Sequence, residues 1–242
     1  MKTLKIFMAV AICTMVAMSV ESASAQGYTK KEKKEMAREM EKQQEDFYAK
    51  APKMARKEAK KLEKQGWKSM DLPIEKQLEI YYDRRGLFDE EGYPKYVHAV
   101  AQATGTNFSA AQMQAEAVAK LRIASNICSS IASLADIALA NNETSPELTA
   151  SLSKAIENAK VIVSQKLGRV FVPVTIYNQT RNTYTVRINA LYDQRQAIKI
   201  AHDTVMKELA NESEQNRKQL EALIGMDKVQ GAYNNMKFDE EL

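Results

Sequence analysis

The chain has 242 residues, with 35 Lys+Arg against 31 Asp+Glu, a formal charge of +4, 45% apolar and 27% charged side chains. A chain of this length buries roughly 70% of its unfolded surface, so it builds a core without a disulfide scaffold, and the composition excludes disorder throughout. With only 8 Gly and 5 Pro, collagen-like and linker-dominated architectures are excluded as well.

Residues 1–25 read as a cleaved signal peptide. Lys2 and Lys5 give a positive start, Ile6 to Val20 is an uncharged and mostly apolar run, and Ala23-Ser24-Ala25 supplies the small-residue cleavage site. The apolar run is about 15 residues, short of the ~20 needed to span a bilayer. Cleavage after Ala25 leaves Gln26 first and removes Cys13, so that Cys128 becomes the lone cysteine and no internal disulfide is expected. No apolar run long enough to span a membrane follows.

Residues 26–68 read as a basic helical arm. Tyr28 to Lys68 holds 14 Lys+Arg against 8 Asp+Glu. Met36, Met40, Phe47, Met54 and Leu62 recur on one helical stripe, and Pro52 predicts two helices, about 29–50 and 52–65, the second stopped by Gly66. The interleaved acids predict a broken rather than a continuous positive face.

Residues 69–225 read as the core domain. A short helix is predicted over 71–85, with Leu72, Leu78 and Tyr81 or Tyr82 inward and Gly86 as its stop. After a loop at Gly92 and Pro94, residues 96–103 predict a strand. Ser109 and Gln112 form a capping box that opens an alanine-rich helix to about Ala140, its inner face Met113, Ala117, Leu121, Ala124, Cys128, Ile131 and Ala135. Thr144-Ser145-Pro146-Glu147 restarts a helix that runs to Gly168. Val170, Val172, Val174 and Ile176 alternate with Phe171, Pro173, Thr175 and Tyr177, and Tyr184, Val186, Ile188 and Ala190 with Thr185, Arg187 and Asn189, predicting two half-buried strands joined by a turn at 178–182. Pro173 predicts an edge or a bulge near the start of the first. A helix follows from Gln194 to about Gly225, and residues 226–242 read as a loose acidic tail. The order predicts an α+β fold: two layers, a mainly antiparallel sheet of three or more strands backed by long helices, with the helical arm at its N-terminal side.

Ala101-Gln102-Ala103-Thr104-Gly105 closing a strand, the spacing Ala111, Ala115, Ala119 in the helix after it, and an aromatic-bearing hairpin after a second helix together resemble a known family. It is the small bacterial envelope-lipoprotein family that includes the flagellar assembly lipoprotein FlgP and the twenty-kilodalton surface lipoproteins. The resemblance covers about residues 94–192 and implies an envelope-located, non-enzymatic protein with no catalytic residues to carry over. The chain departs from that family in lacking the lipid-accepting cysteine and in adding the basic arm.

The chemistry-bearing residues are sparse. His98 falls on the predicted strand and His202 beside Asp203, and neither a G-x-S-x-G elbow, an H-E-x-x-H pair, paired C-x-x-C, nor a Gly-rich phosphate loop occurs. Cys128 sits in an apolar helical pattern as a small core residue. Asp89-Glu90-Glu91 read as solvated loop carboxylates, and Tyr81, Tyr82, Tyr93 and Tyr96 with Phe88 as a cap on the open end of the sheet. The expectation is therefore no catalytic residue, cofactor or metal, and no nucleic-acid partner. The expected protein is an exported interaction or structural module of the periplasm or cell envelope, contacting other envelope proteins or outer-membrane components. Its partner-facing candidates are Lys30, Lys31, Lys33, Lys34, Lys57, Lys60, Lys61 and Lys64 of the arm and Phe88 and Tyr93 of the aromatic loop. Self-association is compatible with such surfaces. The alternatives are a periplasmic holdase-like chaperone gripping clients with the arm, and a hydrolase using Cys128 or His98.

Overall fold

The computed structural model describes residues 30–89, 93–140, 146–223 and 225. The signal segment, Glu90 and Glu91, the 141–145 connection and the acidic tail lie outside these residues. Two compact units divide the chain, Met1–Glu41 and Lys42–Leu242. The second therefore takes in the C-terminal half of the arm as well as the core domain.

Among the described residues nine elements follow in order: α1 (Lys30–Lys64), α2 (Ile74–Arg85), β1 (Tyr96–Gly105), α3 (Phe108–Ala140), α4 (Pro146–Lys166), β2 (Phe171–Thr180), β3 (Thr183–Asp193), α5 (Gln194–Glu212) and α6 (Glu214–Leu223). The fold is α+β. Its sheet has three antiparallel strands in the order β1-β3-β2, so the last strand is central. The β2–β3 turn is tighter than the sequence suggested. Thr180 pairs with Thr183, leaving Arg181-Asn182 as a two-residue connection in place of a 178–182 loop.

One face of the sheet carries the larger core. Val97, Ala99 and Ala101 of β1 and Val186, Ile188 and Ala190 of β3 lie in one cluster with residues of α3, α4 and α5. The inner face of α3 keeps its predicted Ala124, Cys128, Ile131 and Ala135, all buried, but differs from the predicted one toward its N-terminal end. Ala111, Ala115, Ala119, Ile123 and Ile127 are buried, whereas Met113 and Leu121 are exposed and Ala117 is also outward. The apolar run fits more than one phase of the helix, and the phase adopted is the one whose smallest side chains let the helix lie closest to the strands. Cap chemistry differs too: Asn107 Oδ1 accepts the Ala110 amide at 2.9 Å, so Asn107 caps the helix and Ser109 is inside it. The last predicted helix is interrupted at Ser213, which separates α5 from α6.

The opposite face is also covered, which a two-layer reading does not include. Ala51, Ala55, Ala59 and Leu62 of α1 and Ile74, Leu78, Tyr81 and Tyr82 of α2 form a second core with Val174, Ile176 and Leu191 of the sheet. The β2 alternation is split to serve both cores. A bulge between Phe171 and Val174, around Pro173, puts Val170 and Val172 on the first face and Val174 and Ile176 on the second.

Pro52 does not break the arm: α1 is continuous through it. Proline denies the helix one ladder hydrogen bond, but burial of the alanine stripe on either side of it holds both turns in the same helix. Gly66, at φ +84°, ends α1, and the chain then forms a single antiparallel bridge from Lys68 to Tyr177 on the edge of β2. Leu72, expected inward, is exposed in the loop before α2.

Gly86 closes α2, but what it supplies is room. Its backbone is ordinary right-handed, and a Cβ there would lie 2.3 Å from Phe47 Cδ1. Gly86→Val is therefore expected to push Phe47 off and destabilise the protein by about 1–3 kcal/mol. Thermal unfolding reads the loss, and limited proteolysis is expected to cut α1 earlier in the variant.

Candidate functional site

The second face of the sheet presents polar residues in register: Arg187 and Asn189 on β3 lie opposite Gln102 and Val100, and Leu191 lies opposite His98. Arg187 is three-quarters buried, a position that requires a counter-charge. Glu58 of α1 supplies it, with Oε1 3.1 Å from Arg187 Nη2, while Tyr82 of α2 donates its hydroxyl to Glu58 Oε2 at 2.6 Å. One carboxylate thus ties α1, α2 and the central strand together. Arg187 Nε and Asn189 Oδ1 are buried without hydrogen-bond partners.

The surroundings are desolvated. Burial, then the bond to Glu58, holds the Tyr82 phenol far above its ordinary range, and burial raises that of Tyr81. The His98 ring stacks 6.3 Å from Tyr81, and burial together with the Arg85 charge pushes its pKa down to about 4. Gln77 makes a second clamp. Its amide nitrogen donates to Ser69 Oγ at 3.0 Å and Leu72 O at 2.7 Å, and its Oε1 accepts the Thr175 amide at 2.7 Å, fixing the loop after α1 and α2 to the edge strand.

This clamp decides which way α1 faces. With Ala51, Ala55, Ala59 and Leu62 inward, 100° per residue places Lys50, Lys53, Lys57, Lys60, Lys61 and Lys64 within about 100° of arc on the opposite side. All six are exposed. Glu58 is turned toward the sheet, and Glu63 falls on the other flank, about 60° beyond the nearest lysine of that arc. Within residues 50–64 neither acid falls in this arc, because a helix sorts residues by angle and not by order. Lys57, Lys60, Lys61 and Lys64 were expected; Lys50 and Lys53, on either side of the supposed break at Pro52, complete the row. The side chains of Lys30, Lys31, Lys33 and Lys34 lie outside the described residues.

The aromatic loop is a strut. Phe88 bridges to Pro94, Asp89 N donates to Tyr93 O at 2.8 Å, and Tyr93 N donates to Asp89 Oδ1 at 2.9 Å. Arg195 at the start of α5 holds Asp89 Oδ2 at 2.9 Å, so Asp89 is an ion-paired, largely buried carboxylate and not a solvated one. Phe88 and Tyr93 are each half-buried.

The remaining candidates are dispersed. His202 is buried in α5 among the first core, on the other side of the sheet from His98, with Nδ1 3.6 Å from Asp203. Cys128 is fully buried, and burial pushes its thiol up to about 12, which keeps it protonated. An open groove of about 820 Å³ runs between α3 and the start of β2, lined by Glu116, Lys120, Arg169, Val170 and Phe171 among others. Among the described residues no group of three or more His, Cys, Asp or Glu is placed to hold a metal, and no helix is long and apolar enough to cross a membrane.

Comparison of the chain with protein-family models, with curated proteins and with solved structures returns no match.

Two outcomes test the clamp. Glu58→Gln leaves Arg187 without its counter-charge and is expected to cost about 2–3 kcal/mol in chemical denaturation, against about 1 kcal/mol for Tyr82→Phe. His98 binds its proton less tightly folded than unfolded, so stability is unaffected above pH ~7 and falls as pH drops from the ordinary 6.5 toward 4. Denaturation of the wild type at about pH 5 is expected to show roughly 2 kcal/mol of loss that His98→Phe does not share.

Proposed function

We propose that the protein is an exported, non-enzymatic component of the bacterial cell envelope, acting as a structural or interaction module through the outer face of α1. The observation that carries this reading is the row of six exposed lysines on a helix whose other side is fixed to the sheet by apolar burial and by Glu58. A rigid cationic face of this kind loses little conformational freedom when a partner arrives.

Three sequence features support the location. They are the positive, apolar and Ala23-Ser24-Ala25 sections of the first 25 residues, the mature composition without paired cysteines, and the partial resemblance to envelope lipoproteins. The holdase alternative is less well supported: of the apolar stripe that was to grip clients, Phe47 and Met54 pack on the second core and Leu62 is inside it. The hydrolase alternative needs a thiolate or a strong imidazole base, whereas burial keeps the Cys128 thiol protonated and makes the His98 ring a weak base, its pKa about 4.

Expression of the full chain in an exporting bacterial host tests the proposal. The expected product sits in the envelope fraction with an N-terminus at Gln26 by intact-mass measurement. Recovery of the unprocessed chain in the cytosolic fraction refutes it.

A further inference from the structure

We infer that the lysine row of α1 is a docking surface for the headgroups of an anionic phospholipid bilayer, an inference that rests on the interaction role proposed for this face.

Shape selects this partner. The row runs from Lys50 to Lys64, about 21 Å at 1.5 Å per residue. Lys53, Lys57, Lys60 and Lys64 occupy only about 60° of the circumference, and Lys50 and Lys61 flank them on one side. A convex ridge of this kind meets a plane along its whole length. A flexible polyanion chain is better held in a groove, and the groove beside β2, away from the row, is lined by Glu116 as well as Lys120 and Arg169.

Chemistry points the same way. The row is made of lysine ammoniums, point charges on long flexible stems that adjust to mobile phosphates, whereas the planar fork of arginine suits fixed bidentate sites. Arg56, which borders the row, is instead engaged with Glu75 at 3.1 Å. Between Lys50 and Lys64 no acidic residue falls in the arc.

The mode of attachment follows from what the other side of α1 does. An interfacial helix usually inserts its apolar face into the bilayer. Here that face is Ala51, Ala55, Ala59 and Leu62, already buried against the sheet. Binding is therefore electrostatic adsorption: reversible, dependent on lipid charge and weakened by salt. Met70 and Leu72 are large apolar side chains exposed in the loop that follows the row.

Sedimentation with vesicles tests this, using wild type and the fourfold variant Lys53→Gln, Lys57→Gln, Lys60→Gln, Lys64→Gln in the same N-terminal form. The expected result is binding to phosphatidylglycerol-containing vesicles, none to phosphatidylcholine alone, and a loss of about a thousandfold in the variant. A fourfold Lys→Arg variant is expected to bind as wild type does, and matching thermal unfolding of all three proteins confirms that the substitutions leave the fold intact. Equal binding by wild type and the Gln variant overturns the inference, as does equal binding to neutral and anionic vesicles. Binding to a soluble polyuronate or to an acidic protein without binding to vesicles assigns the row to another partner and also overturns it. Because the comparison is between variants, its failure is separate from a failure of export, which the N-terminus reports.

Discussion

A guanidinium on the middle strand of a three-stranded sheet must be neutralised or kept wet, and most of this molecule's organisation follows from how Arg187 is neutralised. The counter-charge comes from Glu58, which is more than a hundred residues away in sequence and lies on the arm. Burying that pair incurs a desolvation cost that the pair alone does not clearly recover. The surrounding apolar cluster and the Tyr82 hydroxyl make the arrangement favourable, and what the pair adds is specificity: α1 has one orientation that satisfies it. The sheet consequently has helices on both sides, with the long α3–α5 layer on one and the end of α1 with α2 on the other.

Orientation then converts composition into a surface. In sequence, residues 50–64 mix lysine, arginine, glutamate and alanine without obvious order. Once Ala51, Ala55 and Ala59 face the strands, the lysines are sorted to the outside and Glu58 to the inside. The same side chains on a free helix would present an identical wheel, but not a fixed one. Fixing it removes the rotation and bending entropy that a loose arm would lose on meeting a partner. The buried ionisable groups around Glu58 belong to this anchoring, and their shifted protonation follows from burial and from the Arg85 and Glu58 charges.

How much of this was legible depended on whether one face or two were buried. Val186, Ile188 and Ala190 alternate and share one core, so the period-2 pattern reported them faithfully. Val170 to Ile176 alternate equally well in sequence, yet the bulge at Pro173 sends the two halves to opposite cores, and a proline signals a bulge without saying what lies beyond it. The predicted α3 face holds at Ala124, Cys128, Ile131 and Ala135, but Met113 and Leu121 nearer its start are exposed, and Ala111, Ala115 and Ala119 do the packing there. Alanine carries little apolar area, roughly one methyl each, and so gives a weak hydrophobic signal exactly where close helix–sheet approach makes it the preferred residue. The alanines at 51, 55 and 59 give an equally weak signal, although their burial docks the arm.

Local chemistry, then, was fixed by the chain alone: the order of helices and strands, the antiparallel hairpin, the basic bias of the arm, and the apolar setting of Cys128. These depend on neighbours within a turn or a ladder, and short-range periodicity encodes them. Tertiary structure decided the phase of α3, the continuity of α1 through Pro52, the partner of Arg187 and the alignment of Lys50 to Lys64 into one row. Each of these is a choice among locally equivalent states, and only burial against a distant element makes one of them lower in free energy than the rest.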